Sequence, residues 1–308
     1  MKLYKRKQGD KAPLGQPDPY ILKGNDGRYY IYATDGQVYS SNDLLSGWEY
    51  EGIRLEMPGQ KICWAPSVLE INGKYYMYYS SIDEKNEDEH GQQIRVAVAD
   101  VPEGPFEYVK TMLPPFSIDA HVVKTPSGMY MFYCNNDYEA ERAGTRIMCD
   151  KMKDPFTMEG NPVCALPPTI DEEIYMKDRF KKGQHWHTVE GAFYFYYEGR
   201  HFLMYSGACY QNPTYFIGYA VAYGAEDEDL RNLKWIKHPD NDSYEPLLRK
   251  NEFMEGTGHN SLIFENGKCY IVYHGRDYGD NNLKEDTRSA RIDELVIDGE
   301  KLSVSMIP

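Results

Sequence analysis

Short runs of apolar and aromatic residues, each closed by a turn, recur along this chain. Tyr29-Tyr30-Ile31-Tyr32, Tyr75-Tyr76-Met77-Tyr78-Tyr79, Met129-Tyr130-Met131-Phe132-Tyr133, His201 to Tyr205 and Cys269-Tyr270-Ile271-Val272-Tyr273 are too short for helices and rich in strand-forming residues. A shorter run and a Gly-containing turn precede each one, and a third run follows: Gln37-Val38-Tyr39-Ser40, Ile94 to Ala99, Thr145 to Cys149, Phe216 to Ala222 and Thr287 to Ile292. Closing signals such as Ser46-Gly47-Trp48, Gly104-Pro105-Phe106, Asp154-Pro155-Phe156 and Leu233-Lys234-Trp235 lead into a polar outer strand. Four-stranded units at a period of roughly 50 to 70 residues predict β-propeller blades. Five such units account for almost the whole chain, so the expectation is an all-β, five-bladed β-propeller forming a single domain over residues 1–308. A β-sandwich is the competing architecture.

The repeat carries a second pattern. Asp18, Trp64, Asp119, Glu190 and Gly258 each stand nine residues before a glycine, Gly27, Gly73, Gly128, Gly199 and Gly267, with His259 eight before the last. A propeller brings each innermost strand to a central channel. Matched offsets therefore predict that Asp18, Asp119 and Glu190, far apart in sequence, meet there. A sandwich offers no reason for carboxylates at matched offsets.

Composition sharpens this picture. Twenty-eight tyrosines suit strands that bury a ring and need a polar tip at its end. A formal charge of −14 argues against a nucleic-acid partner, which requires clustered Lys and Arg. No apolar run approaches bilayer-spanning length. The six cysteines show no CxxC pair or metal-ligand spacing and mostly sit in apolar runs, as buried free thiols in a reducing compartment would. The basic stretch from Met1 to Gln8 has no apolar segment behind it, and the expected address is cytoplasmic, with a secreted or periplasmic one as the alternative if a leader has been removed.

Three carboxyls around one channel suit acetal hydrolysis. That reaction needs a proton donor at the leaving oxygen and a carboxylate that activates water or attacks the anomeric carbon. The two carboxyls must differ in pKa, and a third carboxylate can hold the acid protonated.

On these residues the sequence resembles glycoside hydrolase family 43, five-bladed propeller enzymes that include β-xylosidases, α-L-arabinofuranosidases and arabinanases. The resemblance spans about residues 16 to 303 and rests on five motifs in order: Asp18-Pro19-Tyr20, Cys63-Trp64-Ala65-Pro66-Ser67, Ile118-Asp119, Val189-Glu190-Gly191 and Gly258-His259-Asn260-Ser261. It implies that Asp18 is the general base, Glu190 the general acid and Asp119 the residue that tunes and orients the acid. It implies further that Arg288 contacts the sugar. It places His259 near the channel axis, beside a Ca²⁺ ion or a water cluster. Neutral imidazole is a poor ligand for so hard a cation, so a contact through water is expected, and no cofactor is required. Two departures, Ala120-His121 after the third-blade Asp and Ala192-Phe193 after Glu190-Gly191, bear on pocket shape.

Other residues keep two readings. Trp64 is a candidate for stacking on a sugar, for walling the pocket or for the core. Arg276 is a candidate for substrate contact or for pairing with Asp277, and the Gln184 to His187 loop for the pocket rim or for packing on blade four. The expected function is inverting hydrolysis of terminal α-L-arabinofuranosyl or β-D-xylosyl residues from oligosaccharides, with base and acid about 6.5–9.5 Å apart. The alternatives are a sugar-binding propeller without catalysis, and another propeller glycosidase or phosphorylase, galactan-directed ones included. Pro17-Asp18-Pro19 and Glu190-Gly191 differ from the Asn-Asp-Pro and Glu-Cys of fructosidase-like enzymes. Oligomeric state is not legible.

Overall fold

A computed structural model describes residues 1–6, 9–280 and 285–308, leaving Lys7 and Gln8 of the basic N-terminal stretch outside the described residues. The chain forms a five-bladed β-propeller. Blade 1 runs outward through Tyr20–Lys23, Tyr29–Ala33, Gln37–Ser41 and Glu49–Ile53. Blade 2 uses Gln60–Ile71, Lys74–Asp83, Gln93–Ala99 and Phe106–Thr111, with the short strand Leu55–Glu56 added in parallel at its edge. Blade 5 comprises Met254–Glu265, Lys268–Asp277, Ser289–Asp298 and Lys301–Ser305. The third strand of blade 5 thus starts at Ser289, two residues later than the pattern predicts. The outer strand of blade 4 shrinks to Ile236–Lys237.

Blades 3 and 4 are continuous. The blade 3 strand Gly144–Asp154 pairs in parallel with the first residues of Trp186–Tyr197, the inner strand of blade 4, at Gly144↔His187 and Thr145↔Thr188. A Cβ on Gly144 would stand 2.0 Å from the His187 carbonyl oxygen, so only glycine permits this approach. The ring closes where the N-terminus lies on blade 5. Leu3 N–H donates to the Ala290 carbonyl, and Ile292 N–H donates to the Met1 carbonyl.

Tyrosine makes the contacts between blades. Tyr30, Tyr32, Tyr75, Tyr78, Tyr130 and Tyr273 are among the largest fully buried side chains. Their hydroxyls reach polar partners: Tyr32 donates to the Pro102 carbonyl and Tyr78 to the Pro155 carbonyl, both in turns, and Tyr273 to Asp293 on the neighbouring strand. A ring that fills the space between twisted sheets while its hydroxyl stays satisfied accounts for the tyrosine-rich composition.

Candidate active site

The inner strands of blades 2 to 5 enter the channel through β-bulges. Registers skip between Trp64 and Ser67, Ile118 and His121, Glu190 and Phe193, and Gly258 and Ser261. At the channel a left-handed residue stands in each blade: Asp18 (φ 56°), two residues before its strand, and Ala65 (42°), Asp119 (56°), Gly191 (62°) and His259 (46°) in the bulges. Only Gly191 among them adopts αL without a steric cost, and backbone strain of this kind gathers at functional sites.

The bulges correct one sequence-based expectation. Asp18 and Asp119 occupy the left-handed position, whereas Glu190 stands one residue before it, alongside Trp64, Ile118 and Gly258. Equal offsets from glycine misled because the glycines differ. Gly27 lies inside the longer turn between Lys23 and Tyr29, and Gly128 pairs with Thr125 at the start of its own strand. Gly73, Gly199 and Gly267 belong to the tight turns that close the other hairpins.

The three carboxyls share one cavity of about 330 Å³, lined also by Thr34, Trp64, Ile118, Tyr210, Tyr215, His259 and Arg288. Asp18 is bound on both oxygens. Thr34 donates to its Oδ2 at 2.6 Å and Arg288 Nη1 donates to its Oδ1 at 3.2 Å. The Thr34 hydroxyl also accepts from Ala65 N–H, which ties blade 1 to blade 2. Asp18 N–H donates to His274 Nδ1 at 3.1 Å, so that ring nitrogen carries no proton. Burial alone would raise the Asp18 carboxyl. The Arg288 guanidinium, helped by His259, instead holds it well below the usual carboxylate range.

Glu190 behaves oppositely. Burial first, and the nearby Asp119 second, push its carboxyl up to about 8, opposed by a hydrogen bond from the Tyr215 hydroxyl to Oε1 at 2.8 Å. Asp119 is also raised by burial, against the pull of His259. The shared proton belongs on Glu190. Asp119 Oδ2 accepts Gly191 N–H at 3.1 Å and lies 3.9 Å from His259 Nδ1, contacts that favour its ionised form. An ionised and a protonated carboxyl facing one cavity is the pair that acetal hydrolysis requires.

Arg288 is built in: Asp286 accepts from its Nε and Nη2, and its guanidinium lies 4.7 Å from the centre of the Tyr210 ring. It is the only Lys or Arg lining the cavity among the described residues, facing Asp18, Asp35, Glu89, Asp119, Glu190 and Asp286. That balance suits an uncharged ligand and disfavours the phosphate of a phosphorylase. Trp64 is half-buried and lines the cavity. Arg276 corrects another expectation. It neither lines this cavity nor pairs with Asp277, but donates to the carbonyls of Tyr210 and Gln211 and so positions the loop that carries Tyr210. Asp277 pairs instead with Arg291 and Lys2.

The donor set does not fit a caged Ca²⁺ ion, which takes six to eight oxygen ligands. His259 places Nδ1 3.5 Å from Asp18 Oδ1, and no three His, Cys, Asp or Glu side chains converge as metal ligands among the described residues. Beneath the carboxyls the channel is filled by Tyr20, His121 and Phe193, from three different blades, with the His121 and Phe193 rings 4.4 Å apart. His121 is thus the departure that reshapes the channel floor, and burial lowers its pKa to about 4, leaving a neutral ring.

Thr34, Tyr210, Tyr215 and His274 escaped the sequence reading because they lie outside the inner-strand pattern. Tyr215 had one indirect signal. A Cβ on Gly258 would lie 1.8 Å from Tyr215 Cε1, so glycine there makes room for that ring.

A propeller whose axial cavity holds a depressed and an elevated carboxyl, with a single cation, defines a hydrolase of glycosidic bonds. The chain belongs to glycosyl hydrolase family 43, whose family model matches residues 12–300. It is 26% identical over 306 residues to an extracellular exo-α-(1→5)-L-arabinofuranosidase of Streptomyces avermitilis, covering 90% of this chain and 59% of that protein. It is 28% identical over 284 residues to the enzyme of the same name from Streptomyces chartreusis, covering 85% and 80%. A thermostable family-43 glycoside hydrolase of known crystal structure superposes with a TM-score of 0.78 at 31% identity, covering 95% and 93%. The chain thus spans little more than half of the first relative.

These relatives overturn the expected cytoplasmic address, since both Streptomyces enzymes are extracellular. The cysteines had misled. Five of the six are buried, and burial raises the pKa of each of those five thiols. A protonated, buried thiol stays free in either compartment, so free cysteines do not report on the address.

Proposed function

We propose that this glycosyl hydrolase removes terminal α-L-arabinofuranosyl or β-D-xylosyl residues from oligosaccharides by single displacement with inversion, within a single catalytic domain over residues 1–308. Asp18 is the general base that takes a proton from water. Glu190 is the general acid that protonates the leaving oxygen, and Asp119 keeps Glu190 protonated near neutral pH. Arg288 and Trp64 bind the sugar, with His259 beside them. The observation that carries this reading is the opposite displacement of two carboxyls in one cavity: Arg288, bonded to Asp18 at 3.2 Å, holds it ionised, while burial and Asp119 hold Glu190 neutral. The names of the Streptomyces relatives favour arabinofuranose as the sugar and exo action as the mode.

The test is release of nitrophenol from the α-L-arabinofuranoside and the β-D-xyloside by wild type and Asp18→Ala, with proton NMR of the first anomer formed. The expected result is a loss of about 10²–10⁴-fold in kcat in the variant, the contribution of a general base, and an inverted product from wild type. A retained configuration, or near-normal turnover by Asp18→Ala, would refute the assignment.

A further inference from the structure

A second cavity, of about 240 Å³, adjoins the first, and Trp64 and Glu190 line both. The proposed mechanism gives that junction a direction. If Glu190 protonates the leaving oxygen, the sugar under attack sits on the Asp18 side and the leaving group extends past Glu190 into the second cavity. The wall there is aromatic, with Phe116, Tyr175 and Trp186. Arg179 lies on this wall with its guanidinium 4.7 Å from the Trp186 ring centre, and its hydrogen-bond partner is an imidazole, His90 Nε2 at 2.8 Å, rather than a carboxylate.

The wall continues onto the surface. Phe180 and Tyr138 are 58% and 52% exposed, large values for aromatic rings on so charged a protein. They pack against Trp186 at ring separations of 5.6 and 5.0 Å. An exposed apolar patch continuous with a binding cleft marks a ligand surface. The backbone that presents it is held in place: Gly183 N–H donates to Asp178 Oδ1 at 2.6 Å and Arg179 N–H to the Gln184 carbonyl at 3.1 Å.

We propose that this second cavity and its aromatic lip bind the leaving-group sugars of the substrate, the apolar C–H faces of the rings packing on the aromatic wall while the remaining N–H groups of Arg179 donate to sugar hydroxyls. The proposal rests on the functional reading above. It makes Arg179 and Phe180 determinants of chain-length preference, and it commits the leaving group to an uncharged oligosaccharide rather than an alcohol or phosphate.

The test compares two substrates of the sugar that wild type accepts: the glycosyl fluoride, whose leaving group is one atom, and the linear trisaccharide. Arg179→Ala and Phe180→Ala remove half-buried or exposed side chains, so both variants are expected to fold, and their thermal unfolding midpoints are measured alongside. The expected result is a fall of about tenfold in the trisaccharide-to-fluoride ratio of kcat/KM, about 1.4 kcal/mol of transition-state binding. A ratio that stays within twofold of wild type in both variants would overturn the proposal. Parallel losses on both substrates with a lowered midpoint would also overturn it, by showing a structural role. Wild type inactive on both substrates would instead sink the functional reading, and this inference with it.

Discussion

Tyr215→Phe isolates one hydrogen bond at the proposed acid. Tyr215 is buried, its ring stacks on His274 at 5.7 Å and 9°, and its hydroxyl donates to Glu190 Oε1 at 2.8 Å. Phenylalanine keeps the ring and the stack and removes only the donor. A hydrogen bond to a charged group is worth about 1.5–3 kcal/mol. Part of that survives when Glu190 is protonated, because the neutral carboxyl still accepts from the phenol. The difference between the two protonation states is therefore about 1–2 kcal/mol, or roughly one pKa unit. The sign follows from the acid role. Tyr215 stabilises the carboxylate, so its loss raises Glu190 further above the value of about 8. Glu190 is active when protonated, and the alkaline limb of kcat/KM moves to higher pH by about one unit. The acidic limb, set by Asp18, stays in place. The assay is kcat/KM against pH on an oligosaccharide, since that parameter reports the free enzyme's groups and a sugar leaving group requires the acid. An alkaline limb that stays fixed or moves to lower pH would refute both the role of Glu190 and the direction of the hydrogen bond.

Three further outcomes follow from the same geometry. Asp119→Asn removes the negative charge beside Glu190, so the alkaline limb moves to lower pH, opposite to Tyr215→Phe; a limb displaced upward would contradict the assigned proton location. Glu190→Ala reduces turnover of oligosaccharides by about 10²–10⁴-fold while sparing aryl glycosides, whose phenolate barely needs protonation; equal losses on both would point to a structural role. Glu173→Ala acts on stability, because Glu173 and Lys237 form a fully buried pair at 2.6 Å and Glu173 also accepts from Thr169 N–H. Leaving Lys237 buried and unpaired costs about 3–5 kcal/mol, read as a lower midpoint in urea unfolding, and a change below 1 kcal/mol would show that the lysine finds water.

Much of the fold was legible because it repeats. Tyr75 to Tyr79 and its four counterparts announce strands by composition, and one period predicts all five blades. The carboxyls Asp18, Asp119 and Glu190 were legible because inner strands meet at an axis, and the structure brings all three to one cavity. Their exact placement was not, since a count from glycine cannot distinguish a turn glycine such as Gly199 from the strand residue Gly128. The bulge that separates Glu190 from the aspartates by one position exists only in the pairing with neighbouring strands.

Side chains that arrive from outside the inner strands needed the tertiary structure altogether. Tyr215 approaches from the loop after Arg200–Gly207, the second strand of blade 4, and Thr34 and His274 from second-strand ends of blades 1 and 5. Arg276 and Arg288 were both candidates for sugar contact in sequence, yet one holds the loop carbonyls and the other holds Asp18. The sequence alone determined which groups are available at the axis, because strand period and blade order are local properties. Which of them is ionised was decided by burial, by Arg288 against Asp18 and by Asp119 against Glu190. Those are distances between segments up to 270 residues apart in the chain, and only packing sets them.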